Sequence, residues 1–417
     1  MMFYVNDQFY TVENIEKQFD IYEGLSHLKE CSNRRIAICT DDVFQYMTLC
    51  LYIRENGGSV VPIHQATPKE GAIRIASTAG SHLLLFQSID TFIELSNHSN
   101  NQEGVLVQMS SGTTGAPKCI ERTWSSVEEE IESYVKALPV DAMTNSVVAC
   151  PVTHSYGFIC GVLACIRRGA KPVIITNSNP KYILKKLKEH PQHILYGAPA
   201  LLYTLSRLLP IDQQFDRVMT SGTVMPHSWL TSLREKSNQV LQQYGCSESG
   251  CVAIHPHVED PKEMGYPLPH VKVTAGDKQR PSEIIIETST QTIYTKDLGY
   301  IEHNILSFLA RIDDTINVAG LNVYPQEVES VLMDEPRITE AVVYKKQDSL
   351  SGERVCALYV SSEPIDTIEL REWCRKFLAP HQIPIEFIFV HEIEKLPNGK
   401  VSRKNLEASL YESATID

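Results

Sequence analysis

The chain of 417 residues is too long for one compact core and long enough for a large domain with a smaller one. Its 43% of hydrophobic and 21% of charged residues describe an ordinary globular protein. A formal net charge of -13 argues against a protein that binds nucleic acid or an anionic membrane surface.

The cysteines and the N-terminus indicate where such a chain would work. The 11 cysteines include no C-x-x-C pair, so neither a structural zinc site nor a thioredoxin-like motif is indicated, and reduced, mostly buried thiols are favoured. The N-terminal sequence MMFYVNDQFY has no basic region that leads into an apolar stretch. The longest apolar run, Phe158 to Ile166, is too short to cross a bilayer. We therefore expect a cytoplasmic protein.

Short β-rich runs alternate with helical patterns over the first three quarters of the chain. Arg35 to Thr40 predicts a strand, Asp42 is placed to cap a helix that runs to Glu55, and Ser59 to Ile63 predicts the next strand. Trp124 to Ala137 has a helical pattern. Four more strands are predicted at Val147 to Pro151, Pro172 to Thr176, His193 to Tyr196 and Arg217 to Thr220. The alternation predicts an α/β fold with largely parallel strands.

Around residue 311 the pattern changes to that of a smaller unit. Its predicted elements are a helix at Pro325 to Met333, strands at Ala341 to Lys345 and Arg354 to Val360, a helix at Thr367 to Leu378 and a strand at Ile385 to Val390. We therefore divide the chain into a first domain of residues 1–310 and a second domain of residues 311–417.

The most informative motif is the run SSGTTGAPK at residues 110 to 118, which follows the apolar stretch Val105 to Val107. Glycines let a backbone turn its N–H groups toward an anion, hydroxyl groups add donors, and a lysine adds a cation. These groups belong to Ser110, Ser111, Gly112, Thr113, Thr114, Gly115 and Lys118. The segment predicts a loop that binds polyphosphate, with a plain polar surface loop as the alternative.

The sequence of this loop disfavours an ordinary P-loop NTPase. The pattern G-x-x-x-x-G-K-[ST] fails because Pro117 precedes Lys118, and Cys119 stands where a magnesium-binding hydroxyl is required. The stretch instead resembles the phosphate loop of the adenylate-forming superfamily, which comprises acyl-CoA synthetases, adenylation domains of peptide synthetases, aryl-acid ligases and luciferases. Further motifs resemble that superfamily in the required order: His154 to Gly157, Ser221 to Thr223, Tyr244 to Glu248, Tyr294 to Asp297, Arg311 to Asp313 and Leu396 to Lys400.

The resemblance implies a fold and a set of ligands. It implies a large N-terminal α/β domain of the adenylate-forming type and a small, mobile α+β C-terminal domain. The implied ligands are ATP and Mg²⁺. Arg311 and Asp313 are similar to the hinge on which the small domain swings, and a surface ion pair is the alternative for these two residues.

The resemblance also implies roles for single residues. Lys400, Glu248 and Thr113 are implied in catalysis, and Glu248 would also hold the magnesium ion. Tyr244 is similar to the residue that stacks on adenine, and Asp297 to the residue that binds the ribose. The other implied nucleotide contacts are Gly222, Thr223, Gly245, Ser247, Arg311 and the loop residues Ser110, Ser111, Gly112, Thr114, Gly115 and Lys118. For Lys400 the alternative is an exposed turn lysine, because P-N-G is itself a turn signal.

The motifs also bear on which carboxylic acid is activated. The resemblance implies an acyl pocket formed by His154, Ser155, Tyr156, Ala198 and Ser221. Adenylation domains for amino acids carry an aspartate in the corresponding segment, and residues 154–157 contain none, which disfavours an α-amino acid. Ser155 stands where ligases for 2-hydroxylated benzoates carry asparagine, which disfavours such an acid and leaves a differently hydroxylated benzoate open. Together with the short segment ahead of the phosphate loop, this resembles the small aryl-acid ligases of siderophore synthesis and implies 3,4-dihydroxybenzoate, as in petrobactin assembly.

The implied reaction has two steps. ATP converts the carboxylic acid to an acyl-adenylate with release of pyrophosphate, and the acyl group then passes to the phosphopantetheine thiol of a carrier protein. One alternative is a ligase with free CoA as acceptor. The other is a catalytically idle nucleotide-binding protein, which predicts broken catalytic positions, whereas Lys400, Glu248 and Asp297 are all present. No nucleic acid or membrane partner is expected.

Overall fold

The computed structural model of the chain describes residues 1–96, 103–110, 118–318, 321–348, 352–395, 401–403 and 406. The α-helices of these residues, α1 to α10 in chain order, are Val12–Gly24, Val43–Glu55, Lys69–Thr78, Trp124–Ala137, Ala164–Arg167, Pro180–Glu189, Pro199–Leu208, His227–Glu235, Pro325–Met333 and Thr367–Arg375. A π-helical segment, Tyr156–Leu163, leads directly into α5, and a 3₁₀ turn lies at Ile312–Asp314.

The strands of the first part of the chain, β1 to β13, are Phe3–Val5, Gln8–Tyr10, Arg35–Cys39, Ser59–Pro62, Leu83–Phe86, Phe92–Glu94, Val105–Ser110, Lys118–Thr123, Asn145–Val148, Val173–Ile174, His193–Gly197, Phe215–Thr220 and Ser237–Cys246. The strands that follow, β14 to β24, are Gly250–His255, Glu263–Pro267, Lys272–Thr274, Ser282–Glu287, Thr292–Glu302, Ile305–Arg311, Ile316–Val318, Leu321–Val323, Ile338–Asp348, Gly352–Ser361 and Glu386–Phe389.

Local sequence signals explain where several helices begin. The Asp42 side chain accepts a hydrogen bond of 3.0 Å from the Gln45 N–H, which caps α2 as predicted. Thr123 caps α4 in the same way through the Ser126 N–H at 3.2 Å. In the described part of the chain, no helix is both long and apolar enough to span a membrane.

The largest sheet of the described residues has the strand order β16-β17-β18-β19-β15-β14-β13-β12-β11-β9-β10-β1-β2. Its strands from β1 through β10, β9, β11 and β12 to β13 pair in parallel. From β13 onward, toward β16, the pairs are antiparallel. The predicted strands of this sheet, β9 to β12, do pair in parallel, whereas the antiparallel half was not predicted. Only residues 247–249 separate β13 from β14, and a parallel connection needs a crossover of a dozen or more residues.

A second sheet, with the order β6-β5-β3-β4-β7-β8, contains the strands on either side of the phosphate-loop sequence. Strand β7 ends at Ser110 and β8 begins at Lys118, and these two residues are paired across the antiparallel ladder. The loop sequence therefore connects two neighbouring strands at the end of this sheet.

The third sheet has the order β21-β20-β23-β22, and β24 pairs in parallel with β23. Helices α9 and α10 contribute Val328, Leu332, Leu370 and Cys374 to one core together with these strands. The elements that were predicted after residue 311 are present, and the α/β fold class is confirmed. The exact domain boundary between residues 310 and 311 stays a prediction.

Candidate active site

Predicted residues of the acyl pocket and of the nucleotide and metal sites follow four adjacent parallel strands of the large sheet, β9, β11, β12 and β13. The segments concerned are 154–156 after β9, Ala198 after β11, 221–223 after β12, and Ser247 and Glu248 after β13. Parallel strands end at the same edge of a sheet, and ligands of open α/β sheets bind in the crevice at that edge. The fold therefore brings these four segments to one candidate site.

Tyr156 joins three of these segments. Its hydroxyl donates a hydrogen bond of 2.6 Å to the Met219 carbonyl and accepts one of 3.2 Å from the Gly197 N–H. Burial raises the pKa of this hydroxyl well above its ordinary value. The hydroxyl is thus occupied by hydrogen bonds to the backbone of β11 and β12, and only the ring of Tyr156 is available to a ligand. Ser221 similarly donates from its hydroxyl to the Gln243 carbonyl at 3.2 Å, which links β12 to β13.

Ser155 makes a contact that the sequence did not suggest. Its hydroxyl donates to the Oε1 atom of Gln108, which lies on β7 in the second sheet. The Gln108 Nε2 group has no partner among the described residues. The pair therefore combines two amide donors with the lone pairs of the Ser155 oxygen. The only sequence signal for Gln108 was a polar residue in an apolar strand just ahead of the phosphate loop.

Asp297, the predicted ribose residue, contacts both Tyr244, the predicted adenine residue, and Arg311 of the predicted hinge. The Tyr244 hydroxyl donates to Asp297 Oδ2 at 2.6 Å, and Arg311 Nη1 donates to Asp297 Oδ1 at 2.9 Å. Arg311 also donates to the Thr295 carbonyl at 2.9 Å. Burial, and then the Asp297 charge, raise the pKa of the Tyr244 hydroxyl well above its ordinary value. Both carboxylate oxygens of Asp297 are therefore held in place.

Packing within the fold also accounts for a buried tyrosine at position 244 and a glycine at position 245. The Tyr244 residue is only 8% exposed and packs in the core with Phe308, so little of its ring is open to a base in this conformation. A Cβ atom on Gly245 would lie 2.1 Å from the Gly250 carbonyl oxygen of β14, so a larger residue would clash with backbone. Their contacts with adenine stay predictions.

The predicted hinge residue Asp313 lies in the 3₁₀ turn that follows β19. Its carboxylate is 3.7 Å from Arg311 Nη2 and 3.4 Å from Lys296 Nζ. All three side chains are partly exposed, so the ion pairs contribute little stability and can exchange at low cost. This is consistent with a hinge, and also with the surface ion pair that was the alternative.

Arg403, three positions after Lys400 in the sequence, makes three side-chain contacts. Its guanidinium contacts Asp314 Oδ2 at 2.8 Å, Glu329 Oε1 at 2.6 Å and the Val343 carbonyl at 2.9 Å. The two carboxylates raise its pKa above the ordinary value, against the effect of burial. The residue that stands three positions after Lys400 is thus bound to the residue next to Asp313. Sequence reasoning did not single out Arg403.

Glu248 lies in the turn between β13 and β14, and it is partly exposed. Its carboxylate has no hydrogen-bond or ion-pair partner among the described residues. These residues contain no group of three or more side chains that could hold a metal ion. Mg²⁺ commonly takes one or two protein carboxylates, with substrate phosphates and water as its other ligands. A free carboxylate at the edge of this site fits that requirement.

Comparison with known sequences identifies the family. The sequence model of the AMP-binding enzyme family matches residues 94–284, and that of the AMP-binding enzyme C-terminal domain matches residues 327–400. The chain belongs to the AMP-binding enzyme family. It is an adenylate-forming ligase that uses ATP, and the resemblance read from the seven motifs is confirmed.

One curated relative and two solved structures are similar to this AMP-binding enzyme over nearly its whole length. A 3,4-dihydroxybenzoate–[aryl-carrier protein] ligase of Bacillus anthracis is 40% identical over 408 residues, which cover 97% of this chain and 98% of that protein. The o-succinylbenzoate CoA synthetase of Bacillus subtilis, solved with its acyl-adenylate intermediate, superposes with a TM-score of 0.85 at 20% identity and covers 97% and 95% of the two chains. The amide bond synthetase McbA of Marinactinospora thermotolerans gives 0.83 at 19% identity, with 98% and 96% covered.

Some predicted residues of this AMP-binding enzyme lie outside the described residues. They are Ser111, Gly112, Thr113, Thr114, Gly115 and Lys400. Ser110 and Lys118 are described by their backbone only. The remaining predicted nucleotide contacts, Gly222, Thr223 and Ser247, are at the sheet edge described above, and His154 and Ala198 are exposed there. The roles of all these residues stay predictions.

Proposed function

We propose that this AMP-binding enzyme activates 3,4-dihydroxybenzoate with ATP and transfers the aryl group to the phosphopantetheine thiol of a carrier protein in siderophore biosynthesis. The observation that carries this proposal is the likeness to the Bacillus anthracis ligase, which extends over nearly the whole of both chains. Such coverage includes both the site at the sheet edge and the C-terminal part with Lys400.

The chemistry explains why ATP is needed. A carboxylate is a poor electrophile, because oxide would have to leave when a thiol attacks it. In the first step a carboxylate oxygen attacks the α-phosphorus of ATP, and the bond to pyrophosphate breaks. In the second step the carrier thiol, after losing its proton, attacks the carbonyl carbon of the aryl-adenylate, and AMP leaves. The products are pyrophosphate, AMP and an aryl thioester.

We assign the electrostatic work of the first step to cations around the phosphates. Two anions, the carboxylate and the α-phosphate, must approach each other, so positive charge fixed in the site lowers the barrier. Lys400 and Lys118 would supply it from the protein, and the hydroxyl groups of residues 110–114 would add donors. Glu248 would hold Mg²⁺, which when bound neutralises charge on the phosphates.

We assign recognition of the catechol ring to the pocket formed by the segments after β9, β11 and β12. Gln108 and Ser155 support this assignment, because an amide donor beside a hydroxyl oxygen complements a phenolic hydroxyl, which both accepts and donates. Tyr156 would line the pocket with its ring alone, since its hydroxyl is occupied. This differs from an apolar tunnel for a fatty acid.

We also infer that residues 311–417 form the mobile domain, with Asp313 as its pivot. The weak, partly exposed pairs of Asp313 support this role. A cytoplasmic location is proposed as well, and it is supported by the 11 cysteines, which are all free thiols.

The choice of acceptor is tested by comparing two reactions. The enzyme, 3,4-dihydroxybenzoate and MgATP are mixed with a phosphopantetheinylated aryl carrier protein or with free CoA, and thioester formation is followed by mass spectrometry. The same carrier without phosphopantetheine is the control, and it should remain unloaded. We expect the holo-carrier to be loaded at least about tenfold faster than CoA, a difference of about 1.4 kcal/mol in the barrier. Faster reaction with CoA would identify an aryl-CoA ligase instead.

A further inference from the structure

A buried ion pair lies beneath the turn that carries Glu248. Arg122, on β8, is 3% exposed, and Glu130, on α4, is fully buried. Arg122 Nη1 donates to Glu130 Oε2 at 2.7 Å. The two residues come from the elements that directly follow the phosphate-loop sequence, since β8 begins at Lys118.

The second oxygen of Glu130 holds the backbone of the turn. Glu130 Oε1 accepts a hydrogen bond of 2.7 Å from the N–H of Cys251. Gly250, which precedes it, has a φ of +75°, and a Cβ atom there would lie 2.2 Å from Glu130 Oε2 and 2.4 Å from Arg122 Nη1. The ion pair is therefore packed directly against the backbone two and three residues after Glu248.

Stability alone is a weak reason for such a pair. Removing two charges from water is costly, and well-packed apolar residues often replace a buried pair without loss. The other contacts of this pair are long: Arg122 Nη2 lies 3.4 Å from the Ser126 carbonyl oxygen and 3.5 Å from its Oγ, and Glu130 Oε1 is 3.8 Å from the Cys160 sulfur. The charged carboxylate of Glu130 instead accepts a hydrogen bond from the backbone of the turn, at the Cys251 N–H.

We propose that Arg122 and Glu130 are positioning residues that fix the turn of Glu248 relative to the strand that begins at Lys118. Through Gly250 and Cys251 they set where the Glu248 carboxylate meets the metal that accompanies ATP. The inference rests on the proposed function, because it takes Glu248 to be the magnesium ligand.

Binding of MgATP and of AMP, measured by calorimetry, separates positioning from general damage. AMP needs no metal, so a displaced Glu248 should weaken MgATP and leave AMP unaffected. Partners that orient a metal ligand typically change metal affinity by about 10- to 100-fold. We expect Glu130→Gln, which keeps an oxygen for the Cys251 N–H and loses the charge, to weaken MgATP at least about tenfold. The half-saturating Mg²⁺ concentration should rise in parallel.

Two further variants keep the test decisive. Gly250→Ala acts on the turn from the other side and keeps both charges, so it should give the same selective loss. It replaces Glu130→Gln as the test if that variant does not fold. Glu121→Gln is the matched control, because this neighbour on β8 pairs at 2.8 Å with the buried Arg35 of β3. It should bind both nucleotides like the wild type.

Glu248→Gln serves as the reference. If it loses MgATP selectively while Glu130→Gln and Gly250→Ala bind both nucleotides normally, or lose both equally, the positioning role is overturned and the proposed function stands. If Glu248→Gln binds MgATP normally, the assignment of Glu248 as metal ligand is overturned, and the inference with it.

Discussion

Tyr244 and Asp297, which are 53 residues apart in the chain, meet in a hydrogen bond of 2.6 Å that the Tyr244 hydroxyl donates. With Arg311 on its other oxygen, the Asp297 carboxylate is oriented before any nucleotide arrives. If Asp297 binds the ribose, the cost of fixing its side chain is already met in the free enzyme. The hydrogen bond thus connects β13, which leads to Glu248, with β18 and the hinge.

Tyr244→Phe tests this orientation. A hydrogen bond to a charged group is worth about 1.5 to 3 kcal/mol, so the variant should bind ATP about tenfold more weakly and be less stable by a comparable amount. The KM for ATP and the thermal midpoint are the measurements. Tyr266→Phe, at an exposed tyrosine, is the control that should change neither. An unchanged KM for ATP in Tyr244→Phe would show that the hydrogen bond between Tyr244 and Asp297 does not contribute to nucleotide binding.

Gln108→Leu tests ring recognition. The variant keeps the approximate size of the side chain and loses the amide that contacts Ser155. Loss of a hydrogen-bonding partner in a buried site costs about 1 to 3 kcal/mol, so kcat/KM for 3,4-dihydroxybenzoate should fall about 10- to 100-fold. Benzoate, which has no ring hydroxyl, should be affected much less.

Met109→Leu is the matched control for Gln108, since neighbouring side chains on a strand point to opposite faces. Met109 packs against an apolar core cluster of the second sheet. It should retain the preference for the hydroxylated acid. An equal loss for 3,4-dihydroxybenzoate and benzoate in Gln108→Leu would show that the residue supports the fold and does not read the ring.

Lys400→Ala should separate the two steps of the reaction. Removal of a fixed donor from a developing anion typically costs about 10²- to 10³-fold in rate, and adenylation should fall by at least that factor. Transfer from a supplied aryl-adenylate to the carrier should be nearly unchanged, because no carboxylate or pyrophosphate takes part. Lys395→Ala is the control, since this lysine pairs with Glu340 at 2.8 Å. If both steps slow equally, Lys400 is not specific to adenylation.

His193 gives a prediction for pH. Its Nδ1 donates to the His190 carbonyl at 2.7 Å and its Nε2 accepts from the Asp216 N–H at 3.3 Å, so the ring is held neutral. Burial lowers its pKa below the ordinary value of 6.5. Between the lowered pKa and 6.5 the unfolded chain binds the extra proton, so stability falls as the pH falls through this window and is constant in this respect above it.

His193→Gln should reduce that dependence. Each proton of difference between the folded and unfolded states contributes a slope of about 1.4 kcal/mol per pH unit to the free energy of unfolding. Between pH 6.5 and the lowered pKa, the slope of the variant should be smaller by up to that amount. Urea unfolding at several pH values measures the slope. The absolute stability of the variant is expected to be lower, because the hydrogen bond to His190 is lost. The same slope in both proteins would show that His193 does not titrate on unfolding.

Much of the fold follows from local sequence signals. The helix after Asp42 and the helix Pro325–Met333 were predicted because capping residues, proline at the first turn and apolar periodicity are local properties. The antiparallel half of the large sheet was not, since strand direction depends on which distant strands meet. The family was recognisable because its motifs are short and keep their order.

The contacts within the site could not be predicted from the sequence. Gln108 contacts Ser155 across 47 residues, and Glu130 contacts Cys251 across 121 residues. Neither residue belongs to a motif, and in the sequence Glu130 is one of several acidic residues in an amphipathic helix. Only the packing of α4 against the turn distinguishes it from its exposed neighbours.

Acid-dependent ATP/pyrophosphate exchange tests the central claim most directly. The acids to compare are 3,4-dihydroxybenzoate, 2,3-dihydroxybenzoate, benzoate, a medium-chain fatty acid and a mixture of amino acids. We predict exchange with the 3,4-isomer far above all the others, and its loss in Lys400→Ala. Exchange that depends on a different acid, with none for 3,4-dihydroxybenzoate, would contradict the proposed substrate while leaving the adenylation chemistry in place.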